Sequence, residues 1–263
     1  MMRGSAAGRR VVAAVGVAAV LALVGACGTA GGRGAGGGAQ PGSGGSSGTA
    51  SQQASGAPAA AGGKGLDQKA LDRLALSAQD VPGYGVTTVS GKGSPVDRDS
   101  VATYRAVTPA PCGPVFAAAQ LGSLHDFTAE VTQDVVSDSD SMGQHASVGL
   151  ASYTRADAGT VMTELRAALG KCTTADMRPS AALPGAGLGY SGARPRPVSG
   201  YGDEALAFDA TQVVVDGGAG PEIPVTVLVV RQDSTIATFL SLNPIQPPEI
   251  PQDVLDAQLE KLA

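Results

Sequence analysis

The side chains that could do acid–base or metal chemistry are few in this sequence. Its two histidines, His125 and His145, lie in polar stretches beside predicted strands, and His145 follows Asp138 and Asp140. An imidazole beside two carboxylates could hold a metal ion or form an Asp–His pair. The alternative, favoured by the polar run DSDSMGQ, is a solvated turn. Because no HExxH or GxSxG motif accompanies either histidine, we predict no metal site and no catalytic residue.

Two further patterns resemble functional motifs only formally. Gly187, Gly189 and Gly192 match the dinucleotide fingerprint G-x-G-x-x-G, which requires a strand before it and a helix after it. Here ARPRPVSG follows and cannot begin a helix, so we interpret the segment as a flexible loop and predict no cofactor. Asp203 and Glu204 are adjacent, and neighbours in a strand point to opposite faces. They are therefore interpreted as structural, and we expect the chain not to be an enzyme.

The N-terminus has the layout of a bacterial export signal. A basic start, MMRGSAAGRR, precedes an apolar segment, Val11 to Ala26, that is shorter than the about 20 residues of a membrane span. The end, Val24-Gly25-Ala26-Cys27, resembles a lipobox. That resemblance implies cleavage of residues 1–26 between Ala26 and Cys27, and acylation of Cys27 with diacylglycerol and palmitate-type chains. An ordinary signal peptide with a chance cysteine, or an uncleaved anchor helix, are the alternatives.

Residues 27–65 then form a linker rich in Gly, Ala and Ser. Apart from Arg33 and Lys64 it carries no charge, and it has no hydrophobic periodicity. Such a composition cannot bury a core, so we predict a disordered tether. Random-coil scaling gives it a typical reach of about 30–40 Å.

The remaining residues, 66–263, are long enough for one domain with a core. All 23 acidic residues but only 13 of the 18 Lys and Arg lie there, which gives a formal net charge of −10. This charge argues against nucleic acid as a partner and against a basic membrane-binding patch. Two cysteines, Cys112 and Cys172, are left after Cys27. In an oxidising compartment they most simply form a disulfide, with two free buried thiols or a redox pair as alternatives.

Hydrophobic periodicity predicts an α+β fold, with a mostly antiparallel sheet and flanking helices. The predicted helices are Asp67–Leu76, Pro114–Leu121, Ala156–Leu169 and one beginning at Pro251. The predicted strands are Tyr84–Val89, Val101–Val107, Ala129–Ser137, His145–Thr154, Asp203–Val215, Val225–Arg231 and Thr235–Leu242.

Several segments in order resemble one family. They are LSAQDVPGY, PAPCGP, ALGKC, GYGDEALAF and VTVLVVRQDSTIATF. Together they are similar to the sensor-domain lipoproteins of actinobacteria, the PknH-like extracellular domain family, over residues 66–263. The resemblance implies an antiparallel α+β fold with a cleft for an unidentified ligand. The kinase sensor carries two disulfides, whereas this sequence has cysteines for one, and no kinase domain is present.

We therefore predict a non-enzymatic sensor-like domain that binds a small molecule or an envelope partner. A lipid anchor would hold it on the outer face of the cytoplasmic membrane, exposed to the cell wall. One alternative is a carrier of lipids or other apolar molecules, which would need a large apolar cavity. The other is a cell-wall hydrolase, which would need Asp, Glu, Ser or His to converge in a cleft. The sequence singles out no ligand-contact residues.

Overall fold

The computed structural model describes residues 63–90, 104–139, 145–177, 187–214 and 220–263. The predicted signal peptide, Cys27 and most of the predicted tether lie outside these residues. The described helices are α1 (Gln68–Leu74), α2 (Gly113–Ala118, preceded by a 3-10 turn, Ala110–Cys112), α3 (Arg155–Leu169) and α4 (Gln252–Leu262). The described strands are β1 (Tyr84–Ser90), β2 (Ala129–Ser137), β3 (His145–Ser152), β4 (Thr174–Met177), β5 (Leu188–Arg196), β6 (Glu204–Val214), β7 (Ile223–Gln232) and β8 (Thr235–Leu242).

The eight strands form one antiparallel sheet in the order β1-β2-β3-β8-β7-β6-β5-β4. Strands that follow one another within β1–β3 and within β4–β8 are neighbours, and β3 joins β8 through the pairs from His145–Leu242 to Ser152–Thr235. Sheet and flanking helices together make the α+β fold that periodicity predicts. Within the described residues, no helix is long and apolar enough to cross a membrane.

Helices cover both faces of the sheet. Because side chains alternate along a strand, odd-numbered residues of β7 face α2 and α3, and even-numbered ones face α1 and α4. We call these the first and second faces. The central strands β7 and β8 are buried on both faces, which explains their almost continuously apolar sequence. The buried residues of these strands are Val225, Val227, Val229, Ile236 and Leu240 on the first face and Leu228, Val230, Ala237 and Phe239 on the second.

The first-face core is held by α3 and a disulfide. Thr154 caps α3 by accepting a 3.1 Å hydrogen bond from the Asp157 amide, and Gly170 ends the helix. Two residues later, Cys172 bonds to Cys112 at the start of α2. The disulfide that the sequence predicts therefore joins the beginning of one helix to the end of the other.

One predicted strand, Val101–Val107, is wrong in its described part. From Tyr104 the backbone forms a helical turn instead. Tyr104 and Val107 are both buried, and their three-residue spacing is that of a turn rather than of a strand. The predicted helix Pro114–Leu121 is also too long. It ends at Ala118, and Leu121 adopts a left-handed φ of 61°.

The predicted flexible loop at GAGLGYSG is likewise wrong, because its second half belongs to β5. Gly189 lies within the strand, and Gly192, with φ of 65°, lies where the register between β5 and β6 shifts. Beyond the short β4, no described strand pairs with the outer edge of β5. The Ala193 amide points outward to the Thr173 carbonyl, so alternation places Pro195 outward as well. A proline there offers no N–H donor, which protects the edge against pairing with another strand.

Candidate functional site

The structure places only some of the residues singled out in the sequence. The described residues do not include Ala26, Cys27, Asp140 or the side chain of His145. Both interpretations of the stretch around His145, a metal site and a solvated turn, therefore stay predictions. Among the residues that the structure describes, no three His, Cys, Asp or Glu side chains are grouped to hold a metal ion.

His125 takes part in a contact between the loop after α2 and helix α3. Its Nε2 lies 2.8 Å from Glu164 Oε2. The nearby Ser123 hydroxyl contacts Tyr153 Oη at 2.9 Å and accepts from the His125 backbone amide at 3.1 Å. A hydrolytic serine would instead bond to the imidazole ring. This group therefore attaches the loop to α3 and lacks the contact between nucleophile and base.

Asp203 and Glu204 converge on one cation. Arg231 Nη1 donates to Asp203 Oδ2 at 2.9 Å, while its Nε lies 3.5 Å from Glu204 Oε2. The alternation of side chains along a strand does not place the two carboxylates on opposite faces, because Asp203 precedes the first residue of β6. Glu204 also pairs with Arg166 of α3, and Asp203 accepts from the Asp233 amide in the β7–β8 turn at 2.8 Å. The pair thus has the structural role that the sequence predicts, joining α3 to the sheet.

An open cleft of about 680 Å³ lies over β5, β6 and β7 on the second face. Its outer wall is the segment Pro244–Glu249, which follows β8 and which we call the proline-rich segment. Its floor is a row of cross-strand neighbours, because Arg194 pairs with Asp209 and Asp209 pairs with Thr226. The lining residues of the sheet are Gly192, Arg194, Arg196, Asp209, Ala210, Thr211, Pro224, Val225 and Thr226.

Thr226 connects the floor of the cleft to its wall. Its Oγ1 lies 2.7 Å from Asp209 Oδ1 and 3.0 Å from the Pro248 carbonyl oxygen. Arg196 Nη1 lies 3.4 Å from the same hydroxyl and 3.3 Å from Asp209 Oδ1. A hydroxyl has one proton to donate, so the Asp209 carboxylate and the Pro248 carbonyl share it as alternative acceptors. The proline-rich segment is therefore attached to the sheet at a buried polar contact.

Arg194 differs from Arg196 in its surroundings. It is exposed, and among the described residues no carboxylate pairs with it, although Asp209 stands directly across the strand pair. Ile245, on the opposite rim, is 62% exposed. The cleft thus combines an accessible guanidinium with an apolar rim.

The sequence did not predict this cleft, because GAGLGYSG was interpreted as a flexible loop and ARPRPVSG was not assigned to a strand. The signal that could have revealed it is the spacing of Arg194 and Arg196, which places both on one face of a strand. The described lining contains no histidine, cysteine or serine. Its polar side chains are those of Arg194, Arg196, Asp209, Thr211, Thr226, Gln246 and Glu249.

Two solved structures are distantly similar to the chain in fold. The crystal structure of the extracellular domain of PknH from Mycobacterium tuberculosis is 13% identical and covers 76% of this chain and 96% of its own, with a TM-score of 0.43. The X-ray structure of an uncharacterized protein from Mycobacterium smegmatis, the Rv0999 ortholog, is 12% identical and covers 69% and 86%, with a TM-score of 0.30. Neither a protein-family model nor a curated protein sequence matches the chain. At these identities the similarity concerns the fold alone.

Proposed function

We propose that this chain is a lipid-anchored extracytoplasmic protein whose folded part is a non-enzymatic domain that binds a small ligand. The observation that carries the ligand proposal is the open cleft of about 680 Å³ over β5–β7. Its size lies in the range of about 300–1,000 Å³ that is usual for small-molecule sites. The lipobox-like Val24-Gly25-Ala26-Cys27 and the linker after it support the anchor and a location on the outer face of the membrane.

The contents of the cleft favour binding over hydrolysis. Apolar prolines and an isoleucine face a small set of polar groups, namely two guanidinium groups, two carboxylates, two hydroxyls and one side-chain amide. That mixture can orient a ligand through charged and polar hydrogen-bonding groups beside an apolar surface. A carrier of wholly apolar molecules is less well supported, since the cavity between α2, α3 and the sheet has a volume of only about 10 Å³. That space holds about one water molecule.

Native mass spectrometry of the full chain purified from a mycobacterial host tests the ligand proposal. The test variant is Thr211→Trp, which places an indole in the cleft because Thr211 lines it from β6. The matched control is Thr87→Trp on the exposed edge strand β1. We expect a reproducible added mass, lost on denaturation, on the wild type and on the control but reduced on Thr211→Trp.

Two results would overturn the ligand proposal. One is a wild-type spectrum without added mass across growth conditions, which would redirect the search to protein partners and cross-linking. The other is an added mass that Thr211→Trp retains in full while remaining folded by circular dichroism. In that case the ligand would bind elsewhere on the domain.

The anchor is tested independently by Cys27→Ala, with Ser43→Ala in the linker as the control. Labelled palmitate should be incorporated into the wild type and the control but not into Cys27→Ala. The cysteine variant should also leave the membrane fraction or remain unprocessed, since two or more acyl chains are needed for stable anchoring. A Cys27→Ala chain of mature mass that stays in the membrane fraction would contradict the lipoprotein assignment.

A further inference from the structure

Arg194 gives the cleft an accessible positive charge that no described carboxylate matches. We infer that the cleft takes an organic anion, a carboxylate or a phosphate monoester on an apolar body, and that Arg194 binds its acidic group. This inference rests on the proposed function, because it names the class of ligand for the same site.

The neighbouring carboxylates contact other groups than Arg194. Asp209 lies across the strand pair from Arg194, but its Oδ1 contacts Arg196 Nη1 at 3.3 Å and Thr226 Oγ1 at 2.7 Å. Glu249, on the proline-rich segment, has an interaction of its own. Arg194, by contrast, is exposed and has no hydrogen bond or ion pair among the described residues. Its five donors are therefore available to a ligand.

The domain as a whole is acidic. Residues 66–263 carry a net charge of −10, so an exposed guanidinium would have many carboxylates available for pairing. Arg194 nonetheless faces a cleft, with a second guanidinium two residues along the same face of β5. The planar fork of a guanidinium matches a carboxylate or phosphate in two parallel hydrogen bonds. The end of the cleft that carries the two arginines is therefore suited to bind the acidic group of a ligand.

An apolar rim lies across the cleft from the arginines. Ile245 is 62% exposed there, and Pro244, Pro247 and Pro224 supply further apolar surface. A ligand that covers Ile245 removes apolar surface from water, which favours binding. A ligand with an acidic group at one end and an apolar body at the other can contact both the arginines and the apolar rim, whereas a free inorganic anion can contact only the arginines.

Isothermal titration of the full chain in lipid nanodiscs tests the inference, with empty nanodiscs as the blank. Three probes share a phenylbutyl body: 4-phenylbutyrate, 4-phenylbutyl phosphate and the neutral 4-phenylbutyramide. The variants are Arg194→Gln in the cleft, Arg73→Gln on the exposed side of α1 as a charge-matched control, and Thr211→Trp to block the site. We expect one or both acids to bind the wild type and Arg73→Gln at least about tenfold more tightly than the amide. Arg194→Gln should abolish that preference, and Thr211→Trp should abolish binding.

The other possible results of the titration distinguish a failure of the anion inference from a failure of the ligand site. Equal binding of acids and amide, lost in Thr211→Trp, would overturn the anion inference and leave the proposed ligand site standing. Acid binding that Arg194→Gln retains would overturn the role of Arg194. Binding that Thr211→Trp retains, or no binding by either acid, would overturn the inference for this cleft. The native mass spectrum judges the proposed function separately, and a preference for one of the two acids separates carboxylate from phosphate ligands.

Discussion

Gln133, in the middle of β2, should be costly to replace because it holds the chain after α1 against the sheet. Its Oε1 accepts from the Leu76 amide at 2.8 Å, and its Nε2 donates to the Leu76 carbonyl at 2.8 Å. Nε2 also lies 2.7 Å from Thr88 Oγ1 of β1. The side chain is 1% exposed, so water cannot take over these bonds. One amide thus satisfies both backbone groups of a buried residue.

The expected loss of stability follows from the two backbone groups of Leu76 that would lose their hydrogen-bond partner. Gln133→Leu keeps the approximate size of the side chain but leaves the Leu76 N–H and C=O buried and unpaired. Each such group costs about 1–3 kcal/mol, and the greater hydrophobicity of leucine offsets part of this. We expect a loss of about 3 kcal/mol in the free energy of unfolding. For a domain of typical stability, about 5–15 kcal/mol, that is a large fraction.

Urea unfolding followed by far-ultraviolet circular dichroism measures this loss, on the full chain carrying Cys27→Ala. The matched control is Gln79→Leu in the exposed turn after α1, which should change stability by less than about 0.5 kcal/mol. The midpoint should fall for Gln133→Leu while the denaturant slope stays constant. Equal midpoints for the two leucine variants would refute the reasoning.

Gln133→Glu gives a second, pH-dependent readout of the same contact. A protonated carboxyl can accept from the Leu76 amide and donate to its carbonyl, whereas a carboxylate can only accept. Burial raises the pKa of the introduced carboxyl above its unfolded value. The stability that the neutral carboxyl contributes is therefore fully present below the unfolded pKa and is lost as pH rises through the folded pKa. Gln133→Glu should therefore approach wild-type stability at acidic pH and fall below it at neutral pH. A constant difference between the two proteins across this range would contradict the proposed hydrogen bonds.

Three further predictions concern the two faces of the sheet. Replacing both half-cystines of the disulfide, which closes 60 residues, should lower the free energy of unfolding by about 4 kcal/mol in the chain-entropy model, and reductant should then have no further effect on the urea midpoint. Gly149→Ala should lower the free energy of unfolding by about 1–3 kcal/mol, because the added Cβ would lie 2.8 Å from Leu121 Cβ. In Gly159→Ala on α3 the added Cβ has nothing within 4 Å, so the free energy of unfolding should rise by about 0.5–1 kcal/mol. The Lys261 ammonium, 2.9 Å from Asp80 Oδ2, holds the pKa of Asp80 below its usual value, so stability should fall as pH drops below about 4 and Asp80→Asn should flatten that fall.

Local patterns in the sequence were sufficient for the regular elements. The strands β2 and β8 have the predicted bounds, and α3 begins one residue earlier than predicted. The helix is marked by its 3.6-residue period, and the strands are marked by short apolar runs between turn residues. The pairing of Cys112 with Cys172 followed from the cysteine count and an export signal. In these cases the order of the residues itself carries a record of the structure.

Elements without that record were missed. The strand β5 contains glycine and proline and was read as a loop, since its place in the sheet depends on β6 rather than on its own propensity. Tyr104–Val107 resembles a strand in composition, but packing of Tyr104 against Phe116 of α2, with ring centroids 6.1 Å apart, accompanies a turn instead. Tertiary contacts overrode local preference in both places.

The candidate site depended entirely on tertiary structure. Arg194, Asp209 and Thr226 are 15 and 17 residues apart in sequence, and only the register of three antiparallel strands makes them neighbours. The proline-rich segment becomes a wall because the Pro248 carbonyl meets the Thr226 hydroxyl. The sequence by itself determined the class of fold, the disulfide and the expectation of export. The cleft and the position of Arg194 in it arise from strand pairing, since a binding site is assembled from residues whose proximity no local pattern encodes.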